Sequence, residues 1–134
     1  MQSVIVADAN VLLSALAGQA AYKILGSDLD FHTTRHTWNE VKEHLPKFEK
    51  RYNLDLPELK EILHNPPLWI HEKDFYASKI PEAHRLIGER DPEDVDVAAL
   101  ALFLDVPVWS NDNDFKNFPT KRYTTAQMFK LLGM

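Results

Sequence analysis

The sequence predicts an α/β fold of three layers (α/β/α) with a mostly parallel central sheet, and three observations carry that prediction. Strand-like runs alternate with helical segments along the chain, the pattern of a parallel sheet covered by helices. The opening run Val4-Ile5-Val6-Ala7-Asp8 is short and β-branched without polar alternation, as a strand buried on both faces requires. Pro92 to Leu104 is apolar almost all round, as expected of a helix buried against a sheet.

The remaining elements follow in order. Asn10 to Ala17 reads as a helix, with Asn10 as an available cap and Gly18 as a stop. A shorter helix, Ala20 to Leu25, is predicted to end at Gly26, and Phe31 to Thr34 to form a strand. Thr37 to Tyr52 is the clearest amphipathic helix: Trp38, Val41, Leu45, Phe48 and Tyr52 make one stripe. Pro46 inside it predicts a bend or a division. Leu56 to Leu63 reads as a helix, Leu68 to His71 as a short strand, and Phe75 to Ile87 as a helix interrupted by Pro81. Val106 to Ser110 is the next strand, and Tyr123 closes an edge strand. Thr124 and Gln127 stand at capping-box spacing ahead of a C-terminal helix. No repeat, linker or low-complexity stretch divides the chain, so residues 1–134 are expected to form a single domain. The order of strands is not readable from this pattern.

Composition narrows the chemistry. With 45% apolar residues the chain can bury a real core. The absence of cysteine excludes disulfides, thiolate catalysis and a Cys-based zinc site. The chain starts directly on a strand pattern without a leader, and no apolar stretch has the length of a membrane span. A soluble, cytoplasmic protein without a membrane partner is the expectation. A net charge of −5 argues against indiscriminate coating of DNA. Nucleic acid stays open as a substrate, because an acidic metal pocket lowers the total by itself.

Four carboxylates stand where such a fold would gather them. Asp8 ends the first strand, Glu40 follows the second, Asp94 opens the apolar helix, and Asp112 follows the Val106–Ser110 strand. Ligands of open parallel sheets bind beyond the carboxyl ends of the strands. Crowded carboxylates repel: at ~4 Å and an effective dielectric of ~20, each pair costs about 4 kcal/mol. A divalent cation relieves this, and Mg²⁺ or Mn²⁺ prefers oxygen ligands.

Each residue also has a bland explanation. Asp8 can cap the helix that starts near Asn10. Thr37-Trp38-Asn39-Glu40 matches a capping box, which leaves Glu40 open between metal and cap. At about 100° per residue, Glu40 flanks the apolar stripe and Glu43 lies opposite it, which favours Glu40 for a crevice. Asp91-Pro92-Glu93-Asp94 is a helix start in which Asp91 is explained as a cap. Asp94 shares a face with Ala98, Ala101 and Asp105, and that small-residue face lets the helix approach the sheet. Asp96 lies on another face. Asp112 and Asp114 bracket a turn, and Asp112 is favoured by its place just beyond Ser110. The six histidines form no metal cluster, although His32 or His36 is available for substrate contact.

Four segments in this order resemble the PIN-domain family, metal-dependent ribonucleases that include VapC-type toxins. They are Val4–Leu16 around Asp8, Asn39–Leu45 around Glu40, Asp91–Leu102 around Asp94, and Val108–Phe115 around Asp112. The resemblance implies that Asp8, Glu40, Asp94 and Asp112 are the acidic quartet, with Asp8, Asp94 and Asp112 holding Mg²⁺ or Mn²⁺. It implies supporting hydrogen bonds from Ser14 and Ser110, where Ser at 110 replaces the commoner Thr. Asn10, Asp91 and Asp114 are further supporting positions, with Asp91 an alternative ligand to Asp94. RNA hydrolysis leaving a 5′-phosphate and a 3′-hydroxyl is the implied activity. Arg35, Lys42, Lys47 and Arg51 are available for the phosphates. A homodimer and a small antitoxin partner are also implied, and the apolar Met128–Leu132 end can serve either such a contact or ordinary docking. Two other readings compete: a non-catalytic PIN-like interaction module, and a Mg²⁺-dependent phosphotransfer domain. The latter lacks the acidic pair of a receiver and the Asp-x-Asp of aspartyl phosphatases.

Overall fold

The computed structural model describes residues 3–17, 21–52 and 56–134. Among them, five strands pair in parallel in the order β3-β2-β1-β4-β5: β1 Val4–Ala7, β2 Asp30–Thr34, β3 Trp69–His71, β4 Val108–Trp109 and β5 Arg122–Tyr123. The chain runs outward from β1 to one edge, then returns to place β4 on the other side of β1. The crevice between β1 and β4 is therefore the topological switch point, where open α/β sheets bind ligands.

Alternation along the strands divides the core between the two faces. Ile5, Ala7, Phe31 and Trp109 pack with helices α1 (Ala9–Leu16), α2 (Tyr22–Leu25), α3 (Arg35–Tyr52) and α8 (Thr125–Leu131). Val6 and Val108 pack against α6 (Ile80–Ala83) and α7 (Val95–Leu104) on the other face, joined by Tyr76 from α5 (Lys73–Tyr76). A further helix, α4 (Leu56–His64), adds Ile62 and Leu63 to the first face. Ala98, Ala99 and Ala101 of α7 are fully buried, and their small side chains allow the close approach to β1 and β2. No helix of the described residues is long and apolar enough to cross a membrane.

Several local expectations are corrected. Helix α1 starts at Ala9, and its cap is Asp8, whose side chain accepts the Val11 N–H, so Asn10 lies inside the helix. Gly18 and Ala20 lie outside the described residues, as do the side chains of Phe48, Arg51 and Tyr52. Helix α3 begins at Arg35 and is capped by Thr34, whose hydroxyl accepts the Thr37 N–H at 2.9 Å. The Thr37–Glu40 capping box therefore does not form, and Glu40 is left without its bland role. Pro46 does not divide α3; it costs the bond its missing N–H would make to Lys42, and the helix continues. The Phe75–Ile87 segment, in contrast, is broken: α5, a 3₁₀ turn Ala77–Lys79, α6 with Pro81 in its first turn, and a π turn His84–Gly88. The Thr124–Gln127 capping box is present. In the terminal helix Met128 is fully buried, Phe129 and Leu132 pack beside it, and Leu131 is exposed.

Candidate active site

Asp8 follows the last residue of β1 and is only 2% exposed. One carboxylate oxygen accepts the Val11 N–H at 2.9 Å and the other accepts the Ser110 hydroxyl. The Asn10 N–H also favours the charged form. Desolvation outweighs these bonds, and with the nearby Asp112 charge it pushes the carboxyl from its ordinary 3.8 up to about 6.

Ser110, fully buried just beyond β4, joins two of the acids. Its hydroxyl donates to Asp8 and accepts the Asp112 N–H at 3.0 Å. Asp112 in turn caps a 3₁₀ turn, Asn113–Phe115, by accepting the Asp114 N–H at 2.8 Å. Arg122 on β5 donates to the Asp112 carbonyl at 2.9 Å and holds this loop from its far side.

The third acidic segment comes from the other layer. Asp91 precedes a 3₁₀ turn, Pro92–Asp94, but its side chain makes no capping bond there. It hydrogen-bonds with Asp94 and Asp112 instead, so the cap explanation of Asp91 is overturned. Burial, the hydrogen bond with Asp91, and the charges of Asp8, Asp91 and Asp112 push Asp94 up to about 9. Asp91 is also raised, first by burial. Carboxylate oxygens of Asp91, Asp112 and Asp114 all lie within 4.8 Å of one another, while the buried Asp8 and the half-buried Asp94 stand outside this close group and reach it through their charges.

Glu40 sits on the flank of this cluster. Burial raises its carboxyl most, the Glu93 charge adds to that, and Asp91 is the cluster member that reaches it. Glu43 is exposed and lines a hollow together with Glu40, His36, His44 and Glu93. Ser14 is half-buried on α1 and hydrogen-bonds to none of these carboxylates. Asn10 contributes its backbone N–H, while the residue itself is exposed. Asp96 is elsewhere, accepting the Tyr76 hydroxyl. Of the four cations singled out from sequence, Arg35 pairs with Glu72 at 3.0 Å and Lys42 and Lys47 are exposed on α3. The guanidinium groups at the cluster are Arg90, 3.6 Å from Asp114, and Arg122. Sequence reasoning missed both; Arg90 carried one signal, its place directly before Asp91.

The donor set is all oxygen, several members repel one another, and their affinity for protons is raised where a positive charge is wanted. Those features fit a hard divalent cation. Fold and site thus define an α/β protein with a carboxylate pocket at the carboxyl ends of its strands. The sequence matches the family model of the PIN domain over residues 6–132, and the chain belongs to the PIN-domain family. Proteins of this family are generally metal-dependent nucleases. A comparison with curated proteins found no match.

Proposed function

We propose that the protein is a metal-dependent endoribonuclease that hydrolyses RNA phosphodiesters with Mg²⁺ or Mn²⁺, and that it acts as a VapC-like toxin in the cytoplasm. The observation that carries the chemistry is the close group of Asp91, Asp112 and Asp114, with oxygens within 4.8 Å of one another, to which Asp8 and Asp94 are coupled by charge at the switch point of the sheet. Family membership supports the nuclease reading, and a homodimer restrained by a small antitoxin is part of the VapC-like proposal. A non-catalytic PIN-like module could keep Asp8 as the cap of α1, but would have no need to crowd Asp91, Asp112 and Asp114 together.

Asp8, Asp94 and Asp112 would hold the ion, with Asp91 as a further ligand and Asp114 at the rim. When bound, the ion supplies a nucleophilic water at neutral pH and neutralises charge on the phosphoryl oxygens. The chain's own residues do the rest. Val11 N–H and the Ser110 hydroxyl fix the orientation of Asp8, one bond to each oxygen, and leave lone pairs on both. Ser110 also ties the Asp112 backbone to Asp8, so the two strand ends keep their separation. Glu40 takes the proton of the attacking water; its raised carboxyl makes it a stronger base than an ordinary glutamate. The water oxygen bonds to phosphorus as the P–O3′ bond breaks, and the leaving oxygen takes a proton from solvent water to give a 3′-hydroxyl beside the new 5′-phosphate. The test is cleavage of single-stranded RNA with Mn²⁺ by the wild type and by Asp8→Asn. Cleavage lost in the variant supports the proposal; equal cleavage, or none in either protein, refutes it.

A further inference from the structure

An RNA strand needs cations beside the carboxylates, and the hollows around the site differ sharply in charge. On the β2 side of Asp8, a hollow of about 420 Å³ carries three carboxylates, Glu40, Glu43 and Glu93. The hollow next to it sets Arg35 and Lys73 against Glu72, Glu93 and Asp96. On the β4 side the balance is reversed. A hollow of about 210 Å³ is lined by Arg90, Lys116, Asn113 and Asn117 against a single carboxylate, Asp114, with Phe118 also in its wall. Asp114 belongs to the close group with Asp91 and Asp112, so this cationic hollow opens directly from the rim of the cluster.

We infer that this hollow is the subsite for a backbone phosphate adjoining the scissile one, held by Arg90 and Lys116. The inference rests on the ribonuclease reading above. Arg90 is fixed at the wall by donating to the Leu86 carbonyl at 2.9 Å, and its partner Asp114 lies 3.6 Å away. At 3.6 Å, with the Arg90 side chain 60% exposed, this ion pair is weak. A phosphate, offering two oxygens to the planar guanidinium, is the stronger partner. Lys116 is exposed and makes no ion pair among the described residues, which leaves its ammonium for the same phosphate. The amides of Asn113 and Asn117 add neutral donors. Bonds to phosphate carry no sequence information, so the subsite holds every RNA alike.

The test compares the wild type, the double variant Arg90→Gln/Lys116→Gln, and Arg35→Gln from the opposite flank. Binding is read by anisotropy with a phosphorothioate-linked single-stranded RNA that resists hydrolysis, over a salt series with Mn²⁺. Steady-state cleavage of ordinary RNA is read in parallel. The double variant should bind about tenfold more weakly for any sequence, with KM raised in step and kcat unchanged. Its slope of log affinity against log salt should shrink by about 0.7 for each phosphate that is no longer neutralised. Arg35→Gln should behave as the wild type. Unaltered binding and salt slope in the double variant overturn the subsite and leave the nuclease reading standing. If the wild type binds RNA without cutting it, the nuclease reading fails, and weakened binding in the double variant still supports the hollow. If the wild type binds no RNA, both fall.

Discussion

Replacing Asp8 with asparagine should stabilise the metal-free protein at neutral pH, an outcome opposite to that of most buried substitutions. The carboxyl is raised from 3.8 to about 6, so its ionised form is disfavoured in the fold by about 3 kcal/mol relative to the unfolded chain. The sign follows from proton binding. Between about pH 4 and 6 the folded state holds a proton that the unfolded state has lost, so stability falls as pH rises through this window. Above it the full cost is present; below it the cost vanishes. Asparagine keeps the shape and the acceptor for Val11 N–H but obliges the Ser110 hydroxyl to turn, which forfeits about 1 kcal/mol. The net gain is then about 2 kcal/mol at pH 8 and near zero or slightly negative at pH 4. Urea denaturation in EDTA at the two pH values measures it. Adding Mn²⁺ should invert the order at pH 8, because only the wild type is stabilised by the ion. A variant less stable than the wild type at pH 8 in EDTA would refute the reasoning, as would a difference independent of pH.

Other outcomes follow from the same geometry. Mn²⁺ binding should release close to one proton at pH 7.5, mainly from Asp94 at about 9, so log affinity should rise by about one per pH unit from 7 to 8.5. Calorimetry in buffers of different ionisation enthalpy measures that number. Ser110→Ala removes the donor to Asp8 and the acceptor for Asp112 N–H, and should cost about 1–3 kcal/mol together with most of the cleavage activity. Ser14→Ala, without a bond to either acid, should leave cleavage near the wild-type rate. Glu40→Gln should lower kcat by about 10²-fold or more, whereas Glu43→Gln should change it little; single-turnover cleavage distinguishes the two.

The centre of the sheet was legible because β1 is a short β-branched run, read to within one residue of its end. The order of the strands was not, since parallel pairing is set by crossovers that leave no local mark. Local signals failed where a neighbour took the role. Thr34, the last residue of β2, caps α3, and the equally good pattern at Thr37 lies within the helix. Asp91 has an ideal capping sequence but turns toward the other carboxylates. Asp8 could be found in sequence because an Asp at the end of a buried strand conflicts with its surroundings. Arg122 could not, because nothing near it in sequence says that it meets the Asp112 loop, and Arg90 carried only its place directly before Asp91, which does not point to Asp114. The same holds for His32 and His71, which stack and hydrogen-bond at 2.7 Å only because β2 pairs with β3.

A crystal of the wild-type protein soaked in Mn²⁺ and measured at the manganese absorption edge tests the central claim most directly. An anomalous peak touching oxygens of Asp8 and Asp112, with Asp94 or Asp91 completing the set, is the predicted result. A peak confined to the outer carboxylates, with Asp8 left out of contact, or no peak at all, would contradict it.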